Sequence, residues 1–115
     1  MNVRNTLKKN SEFRRLYTRG KSAGNSYMAV YCRRSGRPLN RFGFTVSTKL
    51  GNAVVRNRIR RRLREIVRLN GPRLRTGWDV VIVARRRCVD GDYHKMDAAF
   101  LRACEELGLL KEGEA

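Results

Sequence analysis

Lys49–Arg68 reads KLGNAVVRNRIRRRLREIVR, and the rest of the chain arranges itself around this stretch. Seven arginines fall within the thirteen residues from Arg56 to Arg68, yet a regular apolar stripe survives among them. At about 100° per residue, Val55, Ile59, Leu63, Ile66 and Val67 gather on one side of a helix. Arg58, Arg60, Arg61, Arg64 and Arg68 project from the other side, with Asn57 among them and Glu65 as the one acid. Asn70-Gly71-Pro72 stops the helix, because proline cannot continue one, and Leu50-Gly51-Asn52 is a tight connector before it. The spacing predicts a helix over residues 53–70 that buries one face and presents a row of guanidinium groups on the other. Such a row suits the phosphates of a structured nucleic acid.

Working outward, Trp78 to Ala84 (WDVVIVA) is nearly unbroken apolar and predicts an interior strand covered on both faces. In residues 41–47, Phe42, Phe44 and Val46 alternate with Gly43, Thr45 and Ser47, which is the period of a strand. The bulky set is assigned to the core against the helices, and the small set leaves an open face. Residues 26–34, SYMAVYCRR, likewise alternate Tyr27, Ala29 and Tyr31 with Met28, Val30 and Cys32. Only a short loop containing the turn Ser35-Gly36-Arg37-Pro38 separates these two strands, so they are expected to pair as a hairpin.

A first helix is expected over residues 11–19, with an N-cap in Asn10-Ser11-Glu12 and a stop at Gly20. Phe13, Leu16 and Tyr17 share one of its faces. Asp90-Gly91-Asp92 caps a last helix over 93–107, where Met96, Phe100, Ala103 and Leu107 recur at helical spacing before Gly108. The order α-β-β-α-β-α, with room for one extra short strand, describes a small α+β fold with helices packed on one sheet. The segment from the second strand through the arginine helix to the third is a βαβ crossover. With 115 residues, no internal repeat and no long linker, the chain reads as a single domain over 1–115.

Lysine and arginine total 27 against 10 acids, a formal net charge of +17. The surplus is uneven: residues 1–75 hold 21 basic and 2 acidic side chains, residues 76–115 hold 6 and 8. A polyanion partner is the simplest reason for a compact fold to tolerate that self-repulsion. No run of about eighteen apolar residues exists to span a bilayer, and MNVRNTLKK lacks the apolar core of a signal peptide. Cys32, Cys88 and Cys104 are odd in number and widely spaced, as reduced thiols of a cytoplasmic protein would be. With the lone His94 they match no familiar zinc spacing.

Catalytic groups are scarce where the charge is dense. Residues 1–75 contain only Glu12 and Glu65, too few acids to hold the metal ions of a protein nuclease. His94 belongs to the acidic third and reads as an exposed residue of the last helix. Asp90, Asp92 and Asp97 are explained by capping and by the helix dipole. No catalytic residue and no metal site are therefore assigned to the chain. Phe13, Tyr17 and Tyr31 have two readings: core packing, or a shallow platform on which unpaired bases stack beside Arg14, Arg15 and Lys21.

Asn10-Ser11-Glu12-Phe13 with Tyr17, then Gly43-Phe44-Thr45-Val46-Ser47, then the run Lys49 to Arg61 with its Gly-Asn-Ala-Val-x-Arg-Asn-Arg core, together resemble the protein subunit of bacterial ribonuclease P. The resemblance covers most of the chain in order. It implies a partner that composition cannot reveal, the large catalytic RNA of that ribonucleoprotein. It also implies a reaction, hydrolytic endonucleolytic removal of the 5′ leader from precursor tRNA, with the RNA carrying magnesium-dependent chemistry. Carried over, Lys49, Asn52, Arg56, Asn57, Arg58, Arg60, Arg61, Arg64 and Arg68 are expected to meet the catalytic RNA. Phe13, Tyr17 and Tyr31 match the family's aromatic leader-binding positions, between the first helix and the sheet. The implied fold is a small α/β sandwich with a left-handed βαβ crossover, against the usual right-handed preference. The rival is a ribosomal-type structural RNA binder, which would share the charge but need no accessible aromatic groove. A helix-turn-helix regulator is disfavoured because strands flank the arginine helix on both sides.

Overall fold

The computed structural model describes residues 6–111, and within them the apolar run Trp78–Ala84 lies inside the sheet, with a strand on each side. The elements in chain order are α1 (Asn10–Arg19), β1 (Lys21–Gly24), β2 (Met28–Arg34), β3 (Arg41–Thr45), α2 (Ala53–Asn70), β4 (Trp78–Ala84) and α3 (Tyr93–Glu106). Single 3-10 turns occupy Thr48–Leu50, Gly71–Arg73 and Arg86–Cys88. The four strands lie in the order β1-β2-β4-β3. β4 is antiparallel to β2, from Met28 opposite Ala84 to Arg34 opposite Trp78, and parallel to β3, from Arg41 opposite Asp79 to Thr45 opposite Val83. The short extra strand is β1, antiparallel to β2.

The expected hairpin between residues 26–34 and 41–47 does not form, because β4 inserts between the two strands. Burial explains the choice. Val80, Val81 and Ile82 are each at most 1% exposed, and a hairpin would have left this strand with one edge open to water. β3 instead becomes the edge, partly covered where Leu7 N–H donates to Phe42 O at 2.9 Å. Its end also differs from expectation: the strand stops at Thr45, and the Ser47 hydroxyl accepts from Lys49 N–H to begin the 3-10 turn.

Alternation along β4 sends its side chains to two cores. Val80, Ile82 and Ala84 join Phe42, Val30, Cys32 and the apolar faces of α2 and α3. Val81 joins Leu7 and Leu16, with Phe13, Tyr31 and Val83 packed around them beneath α1. The result is three layers, with α1 on one face of the sheet and α2 and α3 on the other. α1 starts at Asn10, one residue earlier than expected: Lys9 is the N-cap and supplies no side-chain bond. Glu12 is occupied elsewhere, 2.7 Å from Arg41. Arg41 in turn grips Asp79 through two hydrogen bonds of 2.9 and 2.8 Å. This three-residue cluster ties α1, β3 and β4 together at partly buried positions, which fixes how α1 lies on the sheet.

Candidate nucleic-acid interface

Helix α2 follows the expected bounds, Ala53–Asn70. Asn52 caps it, its side-chain oxygen accepting from Val55 N–H at 3.0 Å, so this residue's first role is to start the helix. Ile59, Leu63, Ile66 and Val67 are each at most 1% exposed, and Val55 packs at the margin of the same core. Burying such side chains stabilises by roughly 1.5–3 kcal/mol each, which opposes the mutual repulsion of the charged face.

On the outward face, Asn57, Arg58, Arg61, Arg64 and Arg68 are exposed, as is Lys49 just before the helix, while Arg56 and Arg60 are half-buried. Among the described residues no acid pairs with Arg56, Arg58, Arg60, Arg61 or Arg64. Arg60 donates to the Asn57 side chain at 3.2 Å, and Arg64 stands 5.9 Å from the centre of the Phe44 ring. Arg56 Nε is shielded from solvent without any acceptor. Arg68 differs: it binds Glu65 of its own helix through two hydrogen bonds, which lowers the glutamate pKa and raises its own. Glu65 therefore already shares its charge within the helix. Arg62 points sideways, donating to Gly91 O at 3.1 Å.

A cleft of about 490 Å³ opens at the exposed edge of β3, between α1 and α2. Phe13, Tyr17, Asn10 and Arg14 line it from α1, Phe44, Thr45 and Val46 from β3 and its end, and Arg60 from α2. Tyr17 is 40% exposed and its hydroxyl is 2.8 Å from Thr45 Oγ1, so the ring is held upright across the groove. Tyr31 stands behind it, edge to face with ring centres 5.0 Å apart, and does not line the cleft itself. Phe13 serves two ends. One part of its ring joins the core below α1; it lies so close to Gly43 that a Cβ there would fall 2.6 Å from the ring. The face expected to be open at Gly43 is thus filled by Phe13 and Leu7.

A family model described as Ribonuclease P matches residues 1–108. The chain belongs to the ribonuclease P protein family. The ribonuclease P protein component of Alkaliphilus oremlandii is 39% identical over 110 residues, covering 96% of each chain. That of Natranaerobius thermophilus is 41% identical over 107 residues, covering 93% of each. The RNase P protein of Staphylococcus aureus superposes with a TM-score of 0.84 at 29% identity, covering 93% of this chain and 98% of that one. The Thermotoga maritima RNase P protein gives 0.78 at 30% identity over 84% of this chain and 92% of that one. A crossover of opposite hand would not superpose so well, so β3-α2-β4 has the hand found in ribonuclease P proteins.

Within this ribonuclease P family member, sequence reasoning misses four contributors to the cleft: Asn10, read only as a helix cap, and Phe44, Thr45 and Val46. Alternation assigns Phe44 and Val46 wholly to the core. The available signal is their place at the end of the strand that precedes the arginine helix, where the core runs out. His94 is exposed on α3, its ring 5.7 Å from that of Tyr93, and it lines no part of the cleft. Among the described residues no three His, Cys, Asp or Glu side chains gather as a metal site. No helix among them is long and apolar enough to cross a membrane. Cys32, Cys88 and Cys104 are free and buried, and desolvation raises the thiol pKa of Cys32 to about 11 and of Cys104 to about 12.

Proposed function

We propose that this chain is the RNA-gripping subunit of ribonuclease P, with two surfaces that have different tasks. The arginine face of α2 takes phosphates of the catalytic RNA through Lys49, Arg56, Asn57, Arg58, Arg61 and Arg64. The cleft beside it takes the single-stranded 5′ leader of precursor tRNA, whose bases stack against Phe13 and Tyr17 while Tyr31 buttresses Tyr17 from behind. Arg60 belongs to both surfaces, since it projects from the RNA-facing helix and lines the cleft. That shared residue is the observation that carries the proposal, because it would bring leader and catalytic RNA side by side. Aromatic stacking tolerates leaders of varied sequence, because every base has a π face.

In this reading the bond cleavage and the magnesium ions belong to the RNA. The described residues offer no acid–base pair or carboxylate cluster in the cleft. What they supply is fixed positive charge, which replaces part of the diffuse ion atmosphere around closely packed phosphates. Three buried free thiols suit the reducing cytoplasm as the place of action. A purely structural RNA binder would have no use for an aromatic groove left open to solvent.

The test uses the holoenzyme reconstituted from this chain and a cognate catalytic RNA. Tyr17→Ala should weaken binding of precursor tRNA by roughly 1–3 kcal/mol for each base that no longer stacks, and leave mature tRNA binding almost unchanged. Equal weakening for both substrates would assign Tyr17 to the architecture instead of the leader.

A further inference from the structure

Exposed guanidinium groups also gather away from the arginine face of α2. Arg85, Arg86 and Arg87 follow β4 directly and all three are exposed, in a third of the chain where acids otherwise outnumber bases. The turn that carries them is braced from several sides. Arg85 N–H donates to Tyr27 O at 2.9 Å, and the Arg85 guanidinium donates to Asn25 O at 2.7 Å. The buried Cys88 thiol donates to Tyr27 O at 3.0 Å, and Arg87 lies over the Tyr27 ring at 5.6 Å. Gly91 folds back so tightly that a Cβ there would stand 2.6 Å from Arg87 O. Arg86, Arg87 and Lys95 then line a depression of about 480 Å³ together with Ser26, Asp90 and Asp92. Asp92 is committed to capping α3, accepting from His94 and Lys95 N–H.

This turn is coupled to α2. Arg62 reaches out of the helix to Gly91 O at 3.1 Å, and Arg58 stands one turn earlier on the same flank. The depression lacks what a protein partner or a membrane would need. Tyr27 is only 8% exposed, and the exposed large apolar residues, Tyr17, Leu39, Val54 and Leu69, do not line it. Protein interfaces centre on desolvated apolar anchors, whereas planar arginine forks match phosphate oxygens.

We infer that the Arg85–Arg87 turn, with Lys95, is a second phosphate-backbone grip on the same RNA that α2 holds, kept in register with α2 by the Arg62–Gly91 bond. It rests on the RNA partnership proposed above. Two grips in fixed register orient the protein on its RNA, where a single helix is free to rotate.

The experiment compares wild type, Arg86→Ala/Arg87→Ala, Arg86→Lys/Arg87→Lys and Arg60→Ala/Arg64→Ala, each as the full chain with circular dichroism to verify folding. Binding to the catalytic RNA is measured against salt, and backbone protection is mapped by hydroxyl-radical footprinting. The alanine pair at 86 and 87 should flatten the salt slope by about 0.7–0.9 for each phosphate no longer neutralised, and expose one RNA segment. The segment protected by α2 should stay protected, and the lysine pair should keep most of the slope. An unchanged slope and footprint in a folded alanine variant would overturn the inference while leaving the α2 assignment standing. Simultaneous exposure of both protected segments would also overturn it, since the turn would then be acting only on the fold. If wild type does not bind the catalytic RNA at all, this inference and the reading beneath it fall together.

Discussion

Gly43 shows how closely one residue binds fold to site. Its missing side chain lets the Phe13 ring, which also lines the cleft, lie against the β3 backbone. Gly43→Ala should push Phe13 aside and destabilise the protein by about 1–3 kcal/mol, the usual cost of overpacking. Urea unfolding measures this, and an unchanged midpoint would mean that the ring has free room. The cysteines make a second prediction at this scale. Their thiols ionise near 9.0 when exposed, but near 11 for Cys32 and 12 for Cys104 in the fold. The unfolded chain therefore loses these protons first, so stability is undiminished below pH 9 and falls as pH rises towards 11–12. Thermal melts from pH 8 to 11 should show the decline, and Cys32→Ser/Cys104→Ala should reduce it once its own packing loss is subtracted. A flat profile in the wild type would contradict the burial. The paired roles of Phe13 are hidden from the sequence, because nothing in local spacing reveals which glycine lies under which ring.

The element to which the proposal gives RNA recognition is α2, and it is almost wholly legible in the sequence. Helical bounds, the buried stripe and the outward arginines all follow from a local period, so no long-range information is needed. Strand partners are another matter. β3 and β2 have a short turn between them and alternate correctly, yet β4 comes between them, since pairing is settled by which strand most needs two covered edges. The same local reasoning overlooks Glu12, whose carboxylate goes to Arg41 across the sheet edge instead of to the start of α1. For α2 itself the arginines can be ranked. Arg60→Ala/Arg64→Ala should lower the salt slope of RNA binding by roughly 0.7–0.9 for each phosphate left without its arginine. Per arginine removed, Arg68→Ala should lower it less, because Glu65 already shares that charge. An equal loss of slope per arginine removed would show that the Arg68–Glu65 pair opens on binding.

At the scale of the whole molecule, the layers sort the work. The core between the sheet and α2/α3 carries the stability, while the thinner layer beneath α1 shapes a groove whose aromatic walls remain partly wet. Positive charge that would strain an isolated fold becomes useful once phosphates surround it. The two acids of residues 1–75 offset little of it on the arginine face, since Glu12 is held by Arg41 and Glu65 offsets Arg68 alone. The proposed division of labour follows: the protein grips and aligns, and the RNA cuts. The direct measurement is precursor tRNA cleavage at low magnesium by the chain alone, by a cognate catalytic RNA alone, and by the two combined. Cleavage at the leader junction should be strong only in the combination and absent with the chain alone. Leader removal by the RNA-free protein, or no gain from adding it to the RNA, would contradict the account.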